Sequence, residues 1–212
     1  MESRAMEIKA AANKKIKMAI IPGHFATNHS HVNYYIDMTS IKTNHLMAKA
    51  AAGVLASSYM TGVYIDTIIC LEGTEMVGAF IADELTQPGC GINSDKAINV
   101  ITPETNSNNQ MLFRDNLQKS IYNKRIMLLM ASVSTGKTIQ RSMECLKYYG
   151  GNLVGIASLF SAVPESESMV VASVFSQSDI TDYKTERPSD CELCKTGVRV
   201  DAIINSFGYS KI

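Results

Sequence analysis

The chain has 212 residues, 46% of them hydrophobic, which suits one large domain with a sizeable core. Twenty basic residues balance twenty acidic ones, so no general electrostatic pull toward nucleic acid or a membrane surface is expected. No apolar run reaches membrane-spanning length, and Met1 to Ala12 lacks the apolar centre of a secretion signal. Five cysteines, an odd number, predict reduced thiols and a cytoplasmic protein.

In chain order, Ala5 to Ile20 reads as an N-terminal helix and Asn33 to Met38 as a short strand. Thr43 to Met60 is an alanine-rich helix that Thr43 or Asn44 would cap. Asp66 to Leu71 is a buried strand, followed by an amphipathic helix from Thr74 to Leu85 carrying Met76, Val77, Phe80, Ile81 and Leu85. Further strands are predicted at Ala97 to Thr102, Ile126 to Ala131, Leu153 to Phe160 and Met169 to Phe175, with a polar, mobile loop from Glu104 to Asn109. Such alternation predicts an α/β fold, a mainly parallel sheet flanked by helices. Ligands of such sheets belong at the carboxyl ends of the strands, where Glu72-Gly73-Thr74 and Ser134 to Thr138 fall.

The segment from Arg125 to Ile139 carries the sharpest signal. An apolar strand enters Ser134-Thr135-Gly136-Lys137-Thr138, and Ile139, Met143 and Leu146 then recur at helical spacing before Gly150-Gly151 ends the helix. A turn opening a helix aims backbone N–H groups and the positive dipole end at one place, which favours a phosphate. Gly136 permits close backbone approach, and Ser134, Thr135 and Thr138 add hydroxyl donors. Lys137 reads equally as a phosphate contact and as a solvated helix residue. An ordinary capped strand-to-helix connection would give the same pattern. The nucleoside triphosphatase P-loop requires glycine where Ala131 stands, so that motif is incomplete.

Four segments in order resemble orotate phosphoribosyltransferases of the type I phosphoribosyltransferase family. Gly23-His-Phe-Ala-Thr-Asn-His-Ser-His-Val-Asn-Tyr-Tyr-Ile-Asp37 is similar to that family's substrate hood, and Ile68 to Ala82 to its pyrophosphate loop and following helix. Ser134 to Thr138 stands in the place of the loop that binds phosphoribosyl pyrophosphate. Cys191-Glu-Leu-Cys-Lys-Thr-Gly-Val198 is similar to a tail of some members. The resemblance implies one domain over residues 1–212, divided into a hood (1–40), a core (41–180) and a tail (181–212). It also implies a homodimer, a small phosphorylated ligand, and Mg²⁺ if phosphoribosyl pyrophosphate binds. Glu72, Gly73 and Thr74 would form the pyrophosphate loop, Tyr34 and Tyr35 would serve the base or the hood, and Arg114 would lie on the mobile loop.

The catalytic positions depart from the family's pattern. Met130-Ala131 stands where two acidic residues should hold the ribose hydroxyls, and Thr102 to Asn116 contains a single basic residue, Arg114. The strand beginning at Leu153 ends in Phe160-Ser161 instead of an Asp-Arg pair. Three readings follow: a degenerate member that binds a nucleotide or phosphorylated ribose, a working transferase with an unusual base or donor, and a structural subunit. The first accounts best for a retained phosphate loop beside missing acids.

No metal is expected at His24, His29 and His31, which lack a spaced set of carboxylates or cysteines beside them. Cys191 and Cys194 supply half of a structural zinc site, leaving a second pair to a neighbouring subunit or missing altogether. The twelve methionines read as core filler.

Overall fold

The computed structural model describes residues 2–106, 110–205 and 208–212. In chain order it contains strands β1 (Met6–Lys9), β2 (Lys17–Ala26) and β3 (His31–Asp37), then helices α1 (Thr39–Thr43) and α2 (His45–Ser57). Next come β4 (Thr67–Cys70), α3 (Glu75–Thr86), β5 (Asn99–Ile101), β6 (Glu104–Thr105), β7 (Met111–Leu112) and α4 (Asp115–Gln118). The remainder is β8 (Arg125–Val133), α5 (Lys137–Tyr148), β9 (Asn152–Ser161), β10 (Glu165–Ser166), β11 (Met169–Ser176), β12 (Thr185–Glu186), α6 (Glu192–Lys195), β13 (Ala202–Asn205) and β14 (Gly208–Lys211).

The core sheet has the order β10-β11-β9-β8-β4-β5. Its pairings are parallel from β11 to β5, with β10 antiparallel at one edge. Burial explains its continuous apolar strands. Along β8, Met127, Leu129 and Ala131 pack into one cluster with α2 and α3, while Ile126, Leu128 and Met130 pack into a second with Ile139 and Leu146 of α5. Both faces are covered, so neither face of the alternation is polar. Asn44 caps α2 as expected, its side chain accepting from Leu46 N at 3.0 Å and Met47 N at 3.2 Å.

The expected N-terminal helix over Ala5 to Ile20 is absent. That stretch forms β1, a turn and the start of β2, with Met6 opposite Ile20 and Lys9 opposite Lys17. Asn13 breaks the helical pattern: its side-chain oxygen accepts from Lys15 N at 3.0 Å, and its carbonyl accepts from Ile16 N at 3.0 Å. Strand pairing then overrides the helix propensity of Ala10-Ala11-Ala12.

The hood is also larger than Gly23 to Met38 suggested. Its sheet has the order β12-β3-β2-β13-β14, with β1 on β2 as well, so half of its six strands come from the tail. β13 runs parallel to the end of β2, pairing Ala202 with Phe25 and Ile203 with Ala26. Among the described residues no helix is long and apolar enough to cross a membrane.

Candidate functional site

Two loops leave neighbouring parallel strands at their carboxyl ends, since β4 and β8 pair in register from Thr67–Ile126 to Cys70–Leu129. The first turns sharply because Glu72 and Gly73 both take left-handed backbone angles, φ 61° and 79°. Its side chains fasten it to β8. Thr74, fully buried, donates from Oγ1 to Leu71 O at 2.8 Å and to Leu129 O at 3.3 Å. Glu72 Oε2 accepts from Ala131 N at 3.0 Å and Ser132 N at 3.1 Å, and Lys42 Nζ donates to the Glu72 carbonyl at 3.1 Å. Burial pushes the Glu72 carboxyl above the usual range, against the opposing pull of those two amides and Lys42. Glu72 therefore shapes this loop and ties it to β8.

The second loop crosses from β8 to α5. Gly136 occupies the N-cap with φ 75°, and a β-carbon there would lie 2.9 Å from Ser166 Oγ at the β10–β11 hairpin. The backbone angle favours glycine, and any β-carbon here would also force the Ser166 hydroxyl to turn away. The amides opening α5 have no intrahelical acceptor, and the positive end of the helix dipole points the same way. Thr135, Lys137 and Thr138 are exposed and Ser134 is half-buried. The hood hangs over this helix, where Arg141 Nη1 lies 3.4 Å from His29 Nε2.

Beside these loops, the positions that depart from the family's pattern are closed. Met130 is 1% exposed and Ala131 4%, and the amides of Ala131 and Ser132 are engaged by Glu72. At the end of β9, Phe160 is buried edge-on to Tyr183, with ring centres 5.3 Å apart. Ser161 Oγ is bonded locally to Val163, donating to its carbonyl and accepting from its amide at 3.3 Å. The stretch predicted as a mobile loop, Glu104 to Asn109, begins with β6, which pairs with β7; its residues 107–109 lie outside the described residues. Arg114 is held on this ribbon by Glu104, donating from Nε at 2.9 Å and Nη2 at 2.7 Å. Glu104 holds the Arg114 guanidinium above its ordinary value, and the guanidinium holds the Glu104 carboxyl below its own.

In the hood, Tyr35 is buried between Phe25 and Tyr209, and burial pushes its phenol up to about 12. Tyr34 is half-buried on the neighbouring position of β3. The three histidines separate: His29 faces Arg141, whereas His24 and His31 turn toward each other and toward the tail. His24 Nε2 lies 2.9 Å from His31 Nδ1, 3.5 Å from Cys191 Sγ and 3.6 Å from Cys194 Sγ. Two sulfurs and two imidazole nitrogens of one chain thus converge. Sequence spacing hid the convergence, because 160 residues separate His31 from Cys191. The available signal was the turn at residues 27–30, which makes positions 24 and 31 diagonal neighbours across a hairpin. Lys42, and Asp201, whose Oδ2 accepts from His24 N at 2.9 Å, were missed altogether, having no local motif.

No model of a known protein family matches the chain, and no curated protein matches it. Solved structures do. The Leishmania donovani UMP synthase superposes with a TM-score of 0.53 at 16% identity, covering 75% of this chain and 34% of that one, so the chain spans about a third of that synthase's length. A phosphoribosyltransferase from Corynebacterium diphtheriae gives 0.51 at 10% identity, over 76% of this chain and 89% of that one. The Mycobacterium tuberculosis orotate phosphoribosyltransferase in complex with 5-phospho-alpha-D-ribosyl 1-diphosphate gives 0.50 at 16% identity, over 68% and 82%.

Proposed function

We propose that this chain, which has the type I phosphoribosyltransferase fold, binds a 5′-phosphorylated ribose or nucleotide at Ser134 to Thr138 and transfers phosphoribose to orotate poorly or not at all. The observation that carries the reading is the contrast at the end of β8. The left-handed Gly136 and the opening turn of α5 are kept, while Met130 and Ala131 are buried apolar residues. A phosphate needs only the backbone donors and dipole of that turn. A ribose diol needs acceptors, and neither Met130 nor Ala131 supplies one. Two lost charge-assisted bonds at roughly 1.5–3 kcal/mol each amount to several factors of ten in donor affinity. The neighbour that carries bound 5-phospho-alpha-D-ribosyl 1-diphosphate supports this ligand class. Mg²⁺ would accompany that donor, and pairing as a homodimer belongs to the same proposal.

A working transferase with an unusual base or donor is the second reading. It is favoured by one observation: the Glu72 carboxylate reaches the end of β8, where the acidic pair would lie. Its bonds to two backbone amides make shaping the loop its first duty.

Calorimetry of ribose 5-phosphate, nucleoside monophosphates and phosphoribosyl pyrophosphate tests the binding. Wild type should bind at least one of them, and Gly136→Val should abolish the heat. Equal affinity in the two proteins overturns the site. Orotate conversion at about 1 s⁻¹ or faster would instead overturn the loss of orotate transfer, and turnover of another nucleobase would establish the second reading.

A further inference from the structure

We propose that His24, His31, Cys191 and Cys194 form a zinc site that clips the tail of the chain to the hood. The four ligand atoms lie within 4.8 Å of one another. Zinc takes sulfur at about 2.3 Å and nitrogen at about 2.0–2.1 Å, so a tetrahedral site has sulfur–nitrogen edges of roughly 3.6 Å. The edges from His24 Nε2 to Cys191 and Cys194 are 3.5 and 3.6 Å, and that from His31 Nδ1 to Cys194 is 3.3 Å. The nitrogen–nitrogen edge, 2.9 Å, is shorter than the roughly 3.3 Å that the same radii give and would open slightly around the ion. Two thiolates with two imidazoles in a tetrahedron suit zinc among the divalent metals.

Surrounding bonds orient the ligands. His24 Nδ1 lies 2.9 Å from the Val198 carbonyl, which accepts only from a protonated nitrogen, so Nε2 is left with its lone pair toward the cluster. The tail delivers that carbonyl by reversing after α6, where Gly197 adopts φ 78° and donates to Cys194 O at 3.0 Å. A bulge in β2 between Pro22 and Phe25 places His24. The bulge needs Gly23, because a β-carbon there would lie 2.5 Å from Asp201 Oδ2, the atom that accepts from His24 N at 2.9 Å. His31 is set by the hairpin turn, in which Thr27 Oγ1 accepts from His29 N at 3.1 Å and Ser30 N at 2.9 Å.

Burial is graded as a structural site requires. His24 is 1% exposed and Cys191 2%, while Cys194 faces solvent and gives the ion a way in. All four coordination positions belong to the protein, so the site has a structural role, without an open position for a substrate. On binding, each thiol releases its proton to solvent and the ion's charge is balanced by two thiolates.

The test is metal analysis of the full chain purified without a metal-affinity tag. Wild type should carry about one zinc per chain, and Cys194→Ser, the exposed ligand, should lose most of it. His29→Ala should keep it. Should Cys194→Ser fail to fold, cobalt replacement in wild type decides: tetrahedral d–d bands with thiolate-to-cobalt charge transfer support the site. Wild type that holds neither zinc nor cobalt after folding in their presence overturns it, as does Cys194→Ser with wild-type zinc content. Because none of these measurements involves a phosphorylated ligand, the result is independent of the anion site at Ser134 to Thr138.

Discussion

The strand-end loops and the hood cluster hold their geometry by opposite means. At the loops the groups offered to a ligand are mostly backbone, placed by a left-handed glycine and the first turn of a helix. At the cluster they are four side chains from a hairpin and a distant tail, with His24 held by Val198 and Asp201. A backbone site tolerates change in its side chains and fails when the chain path changes. A side-chain site fails at any one ligand.

The largest effect should come from reversing the apolar character at the end of β8. Met130 packs into the α5-side cluster and Ala131 into the opposite one, so Met130→Glu with Ala131→Asp puts carboxylates into both. Unpaired buried charge of this kind costs about 3–5 kcal/mol, to be read from urea unfolding. Stability within about 1 kcal/mol of wild type would mean that both positions are open to a ligand and solvent after all.

Next in size is the contrast within the anion loop itself. Ser134→Ala and Thr138→Ala should each weaken phosphate binding by less than about tenfold, the worth of one hydrogen bond, while Gly136→Val removes binding. A hydroxyl deletion as damaging as the glycine replacement would break the distinction between the two regions.

The smallest effect is a pH dependence at Glu72. Its half-buried carboxyl sits above the usual glutamate range because it is poorly solvated, so the folded chain binds that proton more tightly than the unfolded one. The stability linked to it is fully present below about pH 4.3, the ordinary value, and is lost as pH rises through the higher folded value. Glu72→Gln keeps an acceptor for Ala131 N and Ser132 N without the charge. Wild type should therefore lose stability relative to this variant as pH rises through that window, in unfolding curves taken at a series of pH values. A difference that is constant with pH would place the Glu72 carboxylate in solvent.

The same division decides what could be read from the residues. The core strands and the Gly136 turn were legible because periodicity and a contiguous motif carry them: β4, β8, β9 and β11 lie where apolar runs predicted. The hood was half legible. Nothing local in Ala202 to Asn205 says that it will pair with Phe25 and Ala26, and Ala10-Ala11-Ala12 favours a helix that Asn13 and strand pairing defeat. The Cys-x-x-Cys pair was visible as half a set, but its partners are fixed by a hairpin register and a bulge, which exist only once the chain is folded.

The parallel pairing of β13 with β2 also sets an order of events during synthesis. Residues 67–176 contain every strand of the core sheet, so that sheet has all its partners well before the tail is made. The hood has to wait for residues 202–211, about 180 positions after the strand they join. Until then the end of β2 presents an unpaired edge, the kind of surface that recruits other chains. A chain cut short before residue 200 would carry every core strand beneath an open hood.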